Sequence, residues 1–67
     1  MEQLLNKIKE EGFFPSISII EDANGSPIWR SQINYGPTIY DCSLGYDSIS
    51  PLVALEKAYN GLLESQK

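Results

Sequence analysis

Apolar residues recur along this chain with two different periods, and the change of period marks out its elements. Over residues 51–63, Leu52, Leu55, Tyr59, Leu62 and Leu63 return every three or four positions while Glu56, Lys57, Asn60 and Glu64 fall on the other side. That is the pattern of a helix with one buried stripe. Ser50 followed by Pro51 supplies its start, because a serine hydroxyl caps free amides and a proline at the first helical position gives up no needed donor. Beside the stripe runs a row of small residues, Ala54, Ala58 and Gly61, which lets another backbone come close. Ile49 stands where it can staple against Val53 or Ala54. A second, shorter helix is predicted over residues 1–11, with Leu4, Leu5 and Ile8 on one side and Gly12 as its terminator. Phe13 and Phe14 then plug the end of the core as Pro15 turns the chain into a strand.

Between the helices the period drops to two. Residues 16–22 and 28–33 are β-branched and alternating, and Asn24-Gly25 between them is a strong hairpin signal. A two-residue turn would mix apolar and charged residues on both faces. A three-residue loop, 23–25, instead pairs Ile19 with Trp29 and Ile17 with Ser31 on a core face ending in Ile33. The same register places Ile20 across from Ile28 on the opposite face, among Ser18, Arg30 and Gln32. Residues 34–37 read as a turn and 38–44 as the third strand. Its alternation assigns Tyr40, Cys42 and Leu44 to the core and sends Ile39 to join Ile20 and Ile28.

The predicted fold is α+β: a single domain, 1–67, of order α-β-β-β-α. It is a two-layer sandwich in which both helices lie on one face of a three-stranded antiparallel meander and the other face is open. This order resembles that of double-stranded RNA-binding domains, whose second helix begins with lysines that span groove phosphates; here that place holds SISPLVALE. The shared order therefore implies a fold and not that function. The tryptophan strand IWRSQI, the glycine-turn strand TIYDCSLGYDS and the helix SPLVALEKAYNGLL also resemble small phage and prophage proteins of helix–sheet–helix type. Their turn-to-helix form S/T-P-x-x-A-x-x-x-A is matched by Ser50, Pro51, Ala54 and Ala58, and the C-terminal domain of HicB-type antitoxins has a related pattern. That resemblance implies a mobile-element setting and no particular activity.

Composition narrows the chemistry. Nine acidic and five basic residues give a net charge of −4, which disfavours nucleic acid as a partner because phosphate binding is driven by Lys and Arg displacing counterions. The basic residues Lys7, Lys9, Arg30, Lys57 and Lys67 are also scattered. No apolar run approaches the ~18 residues of a membrane span, and residues 1–11 lack the form of a signal peptide. A cytoplasmic protein without membrane contact is expected. With no histidine and one cysteine, neither an internal disulfide nor the usual zinc clusters can form, and no cofactor is expected. Cys42, placed inward in mid-strand, reads as packing, and the adjacent acids Glu10-Glu11 and Glu21-Asp22 point apart. Gly25, Gly36 and Gly45 are isolated turn residues and make no phosphate cradle. The chain does not read as an enzyme, and no small-molecule substrate is expected.

What remains is a protein-interaction module. Ile20, Ile28 and Ile39 on the open face, beside Arg30 and rimmed by Glu21, Asp22 and Asp41, have the make-up of a small interface, with Tyr35 or Tyr46 near the turns. The expected partner is another protein or a second copy of the chain, joined through open faces or edge strands. The alternatives are inhibition of a nucleic-acid enzyme by acidic mimicry and direct nucleic-acid binding.

Overall fold

The computed structural model describes residues 1–65. The chain runs α1 (Glu2–Glu10), β1 (Phe14–Glu21), β2 (Pro27–Asn34), β3 (Cys42–Asp47) and α2 (Pro51–Ser65), and the strands form one antiparallel sheet in the order β1-β2-β3. This is the α-β-β-β-α meander that the pattern predicts. Both helices cover one face: Ile8 of α1 is buried in the same cluster as Ile33 of β2 and Leu55, Ala58, Tyr59 and Leu62 of α2. Leu4, Leu5, Phe13 and Ile17 close its margin. Phe14, by contrast, is 72% exposed; only the first of the two aromatics plugs the core.

The first hairpin has the predicted three-residue loop. Asp22 N–H donates to the Ser26 carbonyl (2.9 Å) and Gly25 N–H to the Asp22 carbonyl (3.0 Å). Gly25 sits at φ +79°, the left-handed region that such a loop requires of its third residue. The Asp22 carboxylate accepts from the amides of Asn24 (2.8 Å) and Ser26 (3.0 Å). Ile19 then pairs with Trp29, Ile17 with Ser31 and Ile20 with Ile28, the register expected from the sequence.

The third strand is displaced from its predicted place. Residues 35–41 form a loop, in which Asp41 N–H donates to the Thr38 carbonyl (3.2 Å) and Tyr35 N–H to the Asp41 carbonyl (2.9 Å). Thr38 and Ile39 are β-branched but lie in this turn, so Ile39, 77% exposed, is not on the sheet. Pairing begins only at Cys42, and the alternation is inverted. Gly45 lies opposite Ser31 and Ser43 opposite Ile33, both toward the helices, while Cys42, Leu44 and Tyr46 point the other way. Tyr40 is 85% exposed in the loop, so none of the three residues assigned to the core from the third strand lies there.

The inversion follows from how closely α2 approaches. A methyl group built on Gly45 would meet the Ala54 carbonyl oxygen at 2.1 Å and the Ala58 amide nitrogen at 2.5 Å. The helix backbone, bared by the small side chains of Ala54 and Ala58, occupies the space a β3 side chain would fill. Ser43 completes the contact, its hydroxyl donating to the Ala58 carbonyl (2.7 Å), and Gly61 lies over the same hydroxyl. Helix α2 begins where expected. The Ser50 hydroxyl accepts from Val53 N–H at 3.4 Å, and the Asp47 carboxylate takes the Ser50 (2.7 Å) and Ile49 (3.0 Å) amides. Ile49 is 86% exposed and makes no staple.

Candidate functional site

The helices leave the second sheet face uncovered. Alternation places on it Phe14, Ser16, Ser18 and Ile20 of β1, Ile28, Arg30, Gln32 and Asn34 of β2, and Cys42, Leu44 and Tyr46 of β3. Read across the sheet, the rows are Phe14–Asn34–Cys42, Ser16–Gln32–Leu44 and Ser18–Arg30–Tyr46, ending in the pair Ile20–Ile28. The central strand thus carries a polar strip with apolar side chains along the β3 side and at both ends.

The strip is ordered by its own hydrogen bonds. Arg30 Nη2 donates to Gln32 Oε1 (3.0 Å), and Gln32 Nε2 donates to Asn34 Oδ1 (2.9 Å). Each link joins residues two apart, which a strand sets side by side on one face. All three side chains are half-buried, held between Ser16 and Ser18 on one flank and Leu44 and Tyr46 on the other. Arg30 uses one guanidinium donor internally and has others left for a carbonyl or carboxylate on an approaching surface. Leu44 is 42% and Tyr46 40% exposed. The face therefore offers partly exposed apolar and aromatic groups around oriented donors, the make-up of interface centres.

Of the residues predicted to form this site, the sheet brings together Ile20, Ile28 and Arg30. Ile39 belongs to the 35–41 loop, for the reason given above. The acidic rim is dispersed. Asp22 is turned into the amides of its own hairpin, and the Asp41 carboxylate accepts from Thr38 N–H (3.3 Å) and packs against Gly36. Glu21, exposed at the end of β1, pairs with Pro27. Sequence reasoning missed Phe14, Asn34, Cys42 and Leu44 as members of the face. The signal that could have found the β3 residues is the pair of small residues in Ser43-Leu44-Gly45, which matches the small row on α2.

Other chemistry-bearing groups serve the scaffold. Tyr59 Oη donates to Glu11 Oε1 (2.7 Å), and Lys7 Nζ lies 5.7 Å from the Tyr59 ring centre, joining α1 to α2. The Glu11 hydrogen bond, with burial, raises the Tyr59 pKa above its ordinary 10.0, so the phenol stays a donor and not a nucleophile at neutral pH. Asp47 is held below the ordinary 3.8 by the Ser50 and Ile49 amides and by Lys57. Among the described residues no group of three or more His, Cys, Asp or Glu could hold a metal ion, and no helix is long and apolar enough to cross a membrane. The basic residues are spread over both helices and β2, apart from Lys67, which lies outside the described residues.

Compared with known protein families, with curated proteins and with solved structures, the chain matches none.

Proposed function

We propose that this chain is a non-enzymatic protein-interaction module that binds a protein partner through the uncovered face of its sheet. The observation that carries the reading is the hydrogen-bonded strip Arg30–Gln32–Asn34 set between the apolar side chains of Leu44, Tyr46, Ile20, Ile28 and Phe14. Ordering these long polar side chains before binding reduces the entropy that a complex must overcome, roughly 0.5–1.5 kcal/mol for each side chain immobilised. A partner fits if it brings an apolar surface with a carboxylate or carbonyl oxygens placed for Arg30. A cytoplasmic, phage-encoded setting belongs to the same reading; the free thiol of Cys42 suits a reducing compartment.

The test is a comparison of variants against a partner purified after capture from the native host. Leu44→Glu and Tyr46→Ala change the uncovered face, while Val53→Glu changes exposed α2 and leaves the face intact. The expected result is a loss of about tenfold or more in affinity for the two face variants, about 1.4 kcal/mol, with Val53→Glu unchanged. Equal affinity in all three, or loss in Val53→Glu alone, would remove the face from the account.

A further inference from the structure

The two edges of this sheet are not alike. The hairpin bond from Asp22 N–H to the Ser26 carbonyl fixes the ladder: along β1 the even residues bond inward to β2, and Ile17, Ile19 and Glu21 turn their N–H and C=O groups outward. Along β3 the outward groups belong to Cys42, Leu44 and Tyr46. That edge is guarded, because Lys57 Nζ reaches across to the Tyr46 carbonyl (3.0 Å) and to Asp47 Oδ1 (3.6 Å). A lysine laid on an edge strand is a known obstacle to further pairing. The β1 edge has no such lysine; its start alone is blunted, by Pro15, which belongs to the outward set and has no N–H. The strand is eight residues long, its first seven, Phe14 to Ile20, carry no charge, and Ile19 on it is 59% exposed.

We infer that the occupant of this edge is a second copy of the chain, β1 pairing antiparallel with β1 about a two-fold axis through Ile17. This register matches like with like on both faces. On the open face Ile20 meets the partner's Phe14 and Ser18 meets the partner's Ser16; on the helix face Ile19 meets the partner's Pro15. Ile17 pairs with itself through two hydrogen bonds, and each Ile19 N–H reaches the partner's Pro15 carbonyl. Pro15 has no N–H to return, so each Ile19 carbonyl is left without a main-chain partner and the pairing rests on four main-chain hydrogen bonds.

Charge complementarity selects a second copy over an unrelated strand. Near the start of β1 lies a hollow of about 390 Å³ lined by Lys9, Gly12, Phe13, Phe14 and Pro15. The antiparallel register brings to it the other end of the partner's β1, Ile19, Ile20 and Glu21, so that apolar side chains meet an apolar hollow and Glu21 approaches Lys9. The two-fold makes this contact twice. The product is a continuous six-stranded sheet with all helices on one side and the uncovered faces joined into one surface.

Sedimentation equilibrium of the wild type, Ile19→Lys, Lys9→Glu, Glu21→Lys, the double reversal Lys9→Glu/Glu21→Lys, and Leu44→Glu tests this. Ile19, Lys9 and Glu21 are all exposed, and circular dichroism checks that each variant is folded. The wild type should sediment at twice the 7.5 kDa of one chain. Ile19→Lys should weaken the dimer by about tenfold or more, each single reversal by about three- to tenfold, and the double reversal should restore it. A wild type that stays monomeric at its highest soluble concentration overturns the inference. So does a dimer indifferent to Ile19→Lys, or a double reversal no better than its parents. A dimer broken by Leu44→Glu but not by Ile19→Lys overturns the edge pairing and moves self-association to the open face, leaving the partner reading to be decided by its own variants.

Discussion

Replacing Gly45 by alanine adds one methyl group where β3 lies against the backbone of α2. The added carbon would lie 2.1 Å from the Ala54 carbonyl oxygen, and ordinary contact needs 3.4 Å, so the α2 backbone must retreat by about 1.3 Å. No side chain can swing aside, because the two nearest atoms are backbone and the third is the Lys57 Cβ, fixed to the same helix. The retreat would lift Ala54, Leu55, Ala58, Tyr59 and Leu62, all buried, away from the sheet. A gap of 0.5–1 Å already forfeits a quarter to a half of a dispersion contact, and overpacking a core costs about 1–3 kcal/mol by itself. Together these predict a loss of about 3 kcal/mol. A domain this size has only about 3–10 kcal/mol in all, at ~0.05–0.15 kcal/mol per residue. The opposite expectation is equally definite: where space and backbone allow, glycine to alanine stabilises by about 0.4–1 kcal/mol through the unfolded chain. The sign therefore decides. Urea unfolding followed by the single tryptophan, Trp29, is the assay, with Gly25→Ala as a control. Gly25 has open space around it but a positive φ, and should cost about 1–2 kcal/mol from strain alone. A Gly45→Ala midpoint equal to or above the wild type would refute the close packing of α2 on β3.

Ser31 is fully buried beneath α2, and its hydroxyl finds no partner among the described residues. An unpaired buried hydroxyl costs about 1–3 kcal/mol, so Ser31→Ala should raise the unfolding free energy by about 1 kcal/mol and the urea midpoint with it, where a lost hydrogen bond would lower both. Asp47 gives a pH signature. Its carboxyl titrates below 3.8 in the folded chain because it accepts from the Ser50 and Ile49 amides beside Lys57. A group with a depressed folded pKa contributes stability that is present above its unfolded pKa and lost as pH falls through the folded value. The thermal midpoint of the wild type should therefore fall as pH drops below 3.8, and Asp47→Asn, checked over the same range, should show a shallower fall from a lower starting point.

The hairpin and α2 were legible in the sequence because each is set by local chemistry. Asn24-Gly25 allows few loop conformations, and only the three-residue loop kept Ile17 and Ile19 on the face that Ile33 occupies; Ser50-Pro51 fixes the start of α2 to the residue. The third strand failed because its cue was tertiary. Hydrophobic alternation assumes that a core position needs a large side chain, and Ser43 and Gly45 are core positions filled by the backbone of α2. The apolar Cys42, Leu44 and Tyr46 were displaced to the other face as a result. Thr38 and Ile39 compounded the error, since β-branched residues suggest a strand while the Asp41 carboxylate on Thr38 N–H holds them in a turn. Of the seven residues predicted for the site, Ile20, Ile28 and Arg30 share the uncovered face, as the hairpin register requires, whereas the β3 side of that face could be placed only once the approach of α2 was known.

Binding through the sheet face that the helices leave bare, as proposed, would be reported directly by the side chains of that face. Gln32 and Asn34 carry amide groups whose NMR signals come from the middle of the face, and Leu44 has methyl signals at its margin; Ala54 and Ala58 report from the buried side of α2. Titrating the purified partner into labelled protein should shift the Gln32 and Asn34 side-chain amides and the Leu44 methyls and leave the Ala54 and Ala58 methyls in place. Shifts confined to α1 and α2, with the Gln32 and Asn34 amides unmoved at saturation, would contradict it.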